Sequence, residues 1–358
     1  MIIYICAFTD KGRQLAEQLN SMLSINSEVP YERRSADAYD TYYGCGKSTA
    51  IIRVRDGEKT EDFVADAFAL RAPLIFIGAT GIAVRMIAPF VKDKLTDPPV
   101  IVIDEKGNFV IPILSGHMGG ANALANRLAA LINATPVITT ATDINGVFAV
   151  DVFARENKLK IVNREGIAVV SSKLLRGEEA YVCIKGGDVS SSICNGTVPW
   201  EDYINDIAAI LPDGVRLLSY SEACKADIIL EPKTLVVGIG CKKDTEPKKL
   251  EDFVGRYLGQ LEADWSDVIA ITSIDIKAKE AAIAELACKN GVDFVTFSAE
   301  ELNAVQGAFS ESDFVKEVTG VGSVCERSAA ALARGDYEML LSKTSEDGMT
   351  IAIARFAL

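Results

Sequence analysis

The sequence contains one histidine, His117. That scarcity removes whole classes of mechanism. A metal site with two or three histidine ligands cannot be built, and neither can a pair of cooperating histidines. A resident metal would have to rest on cysteines and carboxylates, whose spacing suggests no such site. No metal and no cofactor are expected. The cysteines Cys6, Cys45, Cys183, Cys194, Cys224, Cys241, Cys288 and Cys325 form no C-x-x-C pair. The apolar start Met1–Phe8 lacks a basic leader and meets Asp10-Lys11 at once, so it reads as a first strand rather than a signal peptide. Free thiols in a reducing cytoplasm are the expectation.

Long hydrophobic runs are also missing. None approaches the ~20 residues of a membrane span, so no membrane is expected as a partner. Positive charge is not in excess: 37 basic residues face 50 acidic ones, a net charge of −13. That balance argues against nucleic acid as a partner. It also repels a polyanion at long range. An anion site must therefore be local, built from backbone N–H groups and a few placed cations. Neither a P-loop nor a G-x-S-x-G elbow occurs, and Gly238-x-Gly240 lacks the further glycine of a dinucleotide fingerprint.

What is present is an apolar chain of 358 residues, 49% of them hydrophobic, more than one core usually organises. Short buried strands alternate with amphipathic helices. This predicts an α/β protein with two open α/β-sheet domains joined by a smaller middle domain. The boundaries are placed at 1–142, 143–230 and 231–358. Strands are expected at Ile2–Phe8, Pro73–Ile77, Val100–Asp104, Phe109–Leu114 and Pro136–Thr140, and helices at Asp10–Leu23, Thr60–Arg71 and Gly116–Ile132. Tyr42–Ser48 and the stretch from Gly186 to Trp200 read as loops. After Glu231 the rhythm restarts with a strand at Leu235–Gly240 and a helix capped by Thr245. Ser298…Glu301 and Ser323…Glu326 have the spacing of capping boxes.

Five segments carry candidate chemistry. In Gly78-Ala79-Thr80-Gly81-Ile82-Ala83-Val84-Arg85 a strand empties into glycines and leaves as a helix. Glycine lets a ligand approach the backbone, and a helix start attracts negative charge. A tight turn with a surface arginine is the plainer reading. In Leu114-Ser115-Gly116-His117-Met118-Gly119-Gly120-Ala121-Asn122 three glycines surround the one histidine. Its ring suits proton transfer near neutral pH, unless it only fixes the turn. Thr139-Thr140-Ala141-Thr142-Asp143 can bind a polar substrate edge or cap a helix. Gly238-Ile239-Gly240-Cys241-Lys242-Lys243 and Gly320-Val321-Gly322-Ser323-Val324-Cys325-Glu326 are two further glycine-rich strand or helix ends. Cys241 reads as a small buried residue ahead of a nucleophile.

Taken together, Ile111–Asn122, Ile77–Arg85, Ile138–Asp143, Val237–Lys243, Thr272–Lys277 and Gly320–Glu326 resemble the cobalt-precorrin-5A hydrolase (CbiG) family over nearly the whole chain. The resemblance implies a cobalt-bound, ring-contracted tetrapyrrole substrate whose δ-lactone is opened with water, with release of acetaldehyde. The cobalt would arrive with the substrate. For that chemistry, His117, Ser115 and Asp143 are expected in catalysis. Gly78, Thr80, Gly81, Arg85, Gly116, Gly119, Gly120, Asn122, Thr139, Thr140, Gly238, Gly240, Cys241, Gly320, Gly322, Ser323 and Glu326, in the glycine-rich turns and the segments beside them, are expected in substrate binding. N–H groups near Gly119-Gly120 are the expected oxyanion donors, and Asp143 and Glu326 are the alternative bases. A homo-oligomer and transient contacts with neighbouring pathway enzymes complete the partner expectations. A non-catalytic corrinoid carrier is the competing reading, distinguished by binding without aldehyde release.

Overall fold

The computed structural model describes residues 2–25, 29–30, 47–93, 96–117, 119–185, 207–333 and 337–356. The chain divides into two compact units. The first is built on one sheet. Its strand β1 (Ile2–Ala7) is buried at every position, as expected of an isoleucine-rich strand covered on both faces. After helix α1 (Asp10–Ile25), the short strands β2 (Val29–Pro30) and β3 (Lys47–Ser48) join the second unit. The chain then supplies β4 (Ile51–Val54), α2 (Thr60–Ala69), β5 (Leu74–Ile77), α3 (Thr80–Ile87), β6 (Val100–Ile103), β7 (Phe109–Leu114), α4 (Ala121–Ile132), β8 (Thr135–Pro136) and α5 (Ala141–Ile144). The sheet order is β4-β1-β5-β6-β7-β8. One core packs Ala16, Leu19 and Leu23 of α1 and Ala125 and Leu128 of α4 onto Ile3, Ile5, Ile75, Ile77, Ile101 and Ile103.

One connection decides where the site lies. Between β6 and β7 the Asp104 carboxylate accepts hydrogen bonds from the N–H groups of Lys106, Asn108 and Phe109. Gly107 adopts φ +71° in the same turn. A link this short makes a hairpin, not a crossover, so β7 must run antiparallel to β6. Val100 therefore lies opposite Leu114, and Ile103 opposite Val110. β8 returns through α4 and pairs parallel to β7. The carboxyl ends of β7 and β8 thus share the edge where β5 and β6 begin.

In the second unit, α6 (Val150–Glu156), β9 (Leu159–Ile161), α7 (Gly166–Leu175), β10 (Ala180–Ile184), β11 (Val215–Leu218) and β12 (Ile228–Pro232) form a four-stranded layer ordered β11-β10-β12-β9. Its core includes Val150, Phe153, Val170, Val182 and Ile228. The seven-stranded sheet adds β13 (Leu235–Cys241), β14 (Val268–Ile274), β15 (Asp293–Phe297), β16 (Tyr337–Glu346) and β17 (Met349–Phe356), ordered β16-β17-β13-β14-β15-β3-β2. The whole is mixed α/β, with parallel strands in all three sheets.

Several local expectations change. The helix expected from Gly116 starts at Ala121, because the glycines before it make a turn. The strand expected over Pro136–Thr140 stops at Pro136. It has one neighbour, and the last cross-strand bond runs from Val137 N–H to the Val110 carbonyl. Thr245 does not cap the helix Pro247–Gln260; Glu246 sits at that position, and the Thr245 hydroxyl donates to the Lys242 carbonyl. Ser298 and Glu301 do form a capping box. The Ser323 hydroxyl instead donates to the Glu326 carboxylate. The loop expected from Gly186 to Trp200, and most of Tyr42–Ser48, lie outside the described residues.

Candidate functional site

The site forms where the loops after β7 and β8 meet. Leaving β7, Ser115 takes a left-handed φ of +56°. Its hydroxyl donates to the Asp97 carbonyl at 2.8 Å, and its carbonyl accepts from Ala121 N–H at 3.1 Å. Asp97 is itself held, its carboxylate accepting from the N–H groups of Lys92 and Asp93. Gly120 adopts φ +82° just ahead of α4, a conformation that favours glycine. A Cβ on Gly119 would stand 2.5 Å from Ser115 Cβ, so that position also demands glycine. The turn projects His117 beside the loop that follows β8.

That loop supplies the partners. His117 Nε2 lies 2.6 Å from Asp143 Oδ2 and 3.0 Å from Thr142 Oγ1. Asn122, in the first turn of α4, donates from Nδ2 to Asp143 Oδ2 and to Thr140 Oγ1, both at 2.9 Å. The His117 side chain is 20% exposed and that of Asp143 38%. Asn122 and Thr142 are buried. A carboxylate at Nε2 favours the tautomer protonated there and places the basic lone pair on Nδ1. A histidine–carboxylate pair of this geometry, partly open to solvent, has the chemistry to move a proton.

The comparisons bear on the same segments. The family model "Cobalamin synthesis G N-terminal" matches residues 62–143, which span both loops. "Cobalamin synthesis G C-terminus" matches residues 235–354. The cobalt-precorrin-5A hydrolase of Salmonella typhimurium is 36% identical over 98% of this chain and 97% of its own length. The chain belongs to the cobalt-precorrin-5A hydrolase family. The family's protein from Priestia megaterium is 34% identical over 78% of each chain. A relative from Methanocaldococcus jannaschii, named a probable cobalt-precorrin-5A hydrolase, is 27% identical over 99% of each. Among solved structures, a cobalamin biosynthesis protein G homolog from Sulfolobus solfataricus covers 99% of this chain and 97% of its own at 23% identity, with a TM-score of 0.41. CobE, a protein from the cobalamin (vitamin B12) biosynthetic pathway, covers 35% of this chain and 92% of its own at 30% identity, with a TM-score of 0.34.

Of the site residues expected from the sequence, the structure brings together Ser115, Gly116, His117, Gly119, Gly120, Asn122, Thr140 and Asp143. Thr139 precedes them and is exposed. Of the N–H groups expected to hold an oxyanion, that of Gly120 is otherwise employed, as are those of the two residues that follow it. Gly120 N–H donates to the His117 carbonyl, Ala121 N–H to Ser115 and Asn122 N–H to Gly116. The Ser115 hydroxyl is likewise engaged, with the Asp97 carbonyl.

Gly78, Thr80, Gly81 and Arg85 do not join this cluster. They follow β5, whose carboxyl end is the opposite edge of the sheet from the carboxyl end of β7. Thr80, Gly81 and Arg85 are exposed there. The antiparallel turn of β7 separates two motifs that look alike in sequence.

The remaining residues belong to the second unit, where each has a local employment. A Cβ on Gly238 would overlap the carbonyl oxygen of Cys325, so the helix Val324–Ala333 packs directly on the β13 backbone. A Cβ on Gly240 would stand 2.5 Å from Thr350 Oγ1. Gly320 ends the helix Asp313–Thr319 at φ +76°. A Cβ on Gly322 would overlap the Glu311 carboxylate. Burial pushes the Cys241 thiol up, away from thiolate reactivity. Glu326 is 3% exposed and accepts from Ser310 N–H, Ser310 Oγ, Ser323 Oγ and Lys343 N–H. Burial alone would raise its pKa; the hydrogen bonds, led by Lys343 N–H, outweigh burial and hold it below the ordinary glutamate range. Two participants escaped the sequence reading. Thr142 lay inside a quoted motif but one residue from those chosen, and Asp97 sits in Thr96-Asp97-Pro98-Pro99, which carries no chemical signature.

Among the described residues no group of three or more His, Cys, Asp or Glu is placed to hold a metal ion. No helix among them is long and apolar enough to cross a membrane.

Proposed function

We propose that this chain is a cobalt-precorrin-5A hydrolase in which the His117–Asp143 pair takes the proton from the attacking water. The observation that carries the reading is the 2.6 Å contact between His117 Nε2 and Asp143 Oδ2, at the meeting point of two family segments. A relative named cobalt-precorrin-5A hydrolase, 36% identical over 98% of this chain, supports the substrate. His117, held by Asp143, accepts a proton as water adds to the lactone carbonyl. The tetrahedral oxyanion collapses, the ring C–O bond breaks, and a carboxylate and a hydroxyl result. Loss of the hydroxyl proton then drives cleavage of the neighbouring C–C bond. Acetaldehyde leaves, and the electron pair remains on the macrocycle, where conjugation and the substrate's own cobalt accept it. His117 returns its proton to the medium or to the leaving group.

The test is incubation of the purified protein with cobalt-precorrin-5A, following lactone loss and aldehyde together. Turnover with one acetaldehyde per lactone opened supports the reading. Tight binding of the tetrapyrrole with no aldehyde supports a carrier instead and overturns it.

A further inference from the structure

Asn122 was expected to bind substrate, but its surroundings give it another task. The residue is 6% exposed, so almost none of it is available to a ligand. Its carboxamide N–H groups are used twice, on Asp143 Oδ2 and on Thr140 Oγ1. Its backbone N–H donates to the Gly116 carbonyl. One residue therefore holds both loops that make the dyad: its side chain bonds the loop after β8, and its backbone N–H bonds the loop after β7. The arrangement also explains Gly116. A Cβ there would stand 2.9 Å from Asn122 Oδ1 and 3.1 Å from Nδ2, so glycine clears the space in which the amide lies.

Asp143 shows why such a tie matters. It sits on α5, a four-residue helix, and its side chain is 38% exposed. A carboxylate so placed has several rotamers and a competing solvent. The hydrogen bond from Asn122 is charge-assisted and comes from a buried, already ordered donor, so it selects one rotamer at little entropic cost. In that rotamer the same Oδ2 that accepts from Asn122 also faces His117 Nε2.

We propose that Asn122 is a positioning residue: it holds the Asp143 carboxylate in the orientation that orders the His117 ring and fixes the Nε2–H tautomer. This rests on the proton-transfer role assigned to His117 above, but its decisive test needs no substrate. The chain has one histidine, so every imidazole signal in a ¹⁵N-labelled sample belongs to His117. A hydrogen-bonded Nε2–H exchanges slowly with water and is visible. In Asn122→Ala its exchange should accelerate about tenfold or more, approaching the behaviour of Asp143→Asn. Amides of Ile75 and Ile101 in the central strands should keep their protection. Asn145→Ala, which removes an exposed amide bonded to the Ala141 carbonyl, should leave the imidazole signal unchanged. If the alanine variant does not fold, Asn122→Ser, which keeps a small polar group at the helix start but cannot span to Asp143, replaces it. With substrate, a positioning role lowers kcat while KM holds. An unchanged Nε2–H signal in the Asn122 variant overturns the inference, as does a loss confined to KM. A wild-type protein that shows the protected Nε2–H yet releases no acetaldehyde overturns the hydrolase reading and leaves Asn122's role standing.

Discussion

The Asn122 carboxamide lies against the Cα of Gly116, with its Oδ1 only 2.9 Å from where a Cβ would be. Gly116 has no positive φ to explain its identity; the space beside it does. Gly116→Ala should displace the amide and loosen both loops. We expect a loss of about 1–3 kcal/mol in stability from the forced repacking, together with a fall in turnover larger than that loss of folded protein accounts for. Urea denaturation and steady-state kinetics on one preparation separate the two. A variant with wild-type kinetics would show that the amide has room to yield.

Removing the dyad itself should be more severe. His117→Asn and Asp143→Asn should each retain the fold and lower turnover, with a loss on the order of 10²–10⁴ for the histidine. The double variant should be little worse than His117→Asn, because the carboxylate acts through the ring. Lactone persistence measured chromatographically reports this directly. Additive losses would mean that the two residues act independently.

Glu326 makes a prediction about acid stability. Its folded-state pKa lies below that of an unfolded glutamate, about 4.3. The stabilisation is therefore complete above the unfolded value and is lost as pH falls through the folded one. Glu326→Gln should lower the melting temperature at pH 7. The gap from wild type should narrow as pH drops below about 4. A gap that stays constant with pH would show that the carboxylate's charge contributes nothing.

Gly238 should tolerate no side chain. The atom it would strike is a backbone oxygen of a helix packed on the sheet, and neither can move alone. Gly238→Ala should cost about 3 kcal/mol or more, seen as a lowered urea midpoint. Gly255→Ala, where a Cβ meets nothing within 4 Å, should be neutral or mildly stabilising. Equal midpoints for the two variants would contradict the packing argument.

Residues 233–358 should melt cooperatively when expressed alone. Five strands and a shared core of Val236, Ile269, Val295, Phe297, Leu302 and Leu332 lie within that range. The fragment gives up β3, which pairs with β15 through Lys47 and Thr296. It also gives up the ion pairs Lys158–Asp293 and Lys160–Asp267. Lower stability than the whole chain is expected, with a single calorimetric transition as the measure. A fragment without such a transition would show that the lost strand and ion pairs are essential.

Hydrophobic spacing was enough to place most strands and helices of the six- and seven-stranded sheets, because isoleucine and valine runs bounded by glycine have few other uses. The middle layer was harder. β9, β11 and β12 are three to five residues long and partly exposed, so their pattern is weak. The lone histidine and the glycines around it marked the right turn, since both are properties of residue type. What the sequence could not determine was which motifs share a site. That depended on the Asp104 hairpin, which reverses β7 and sends the Ser115–Asn122 turn to the sheet edge away from Gly78–Arg85. The same reversal lets β8 run parallel to β7 and deliver Asp143 to His117. Residue types set the available chemistry; strand direction, a tertiary property, decided which residues could meet.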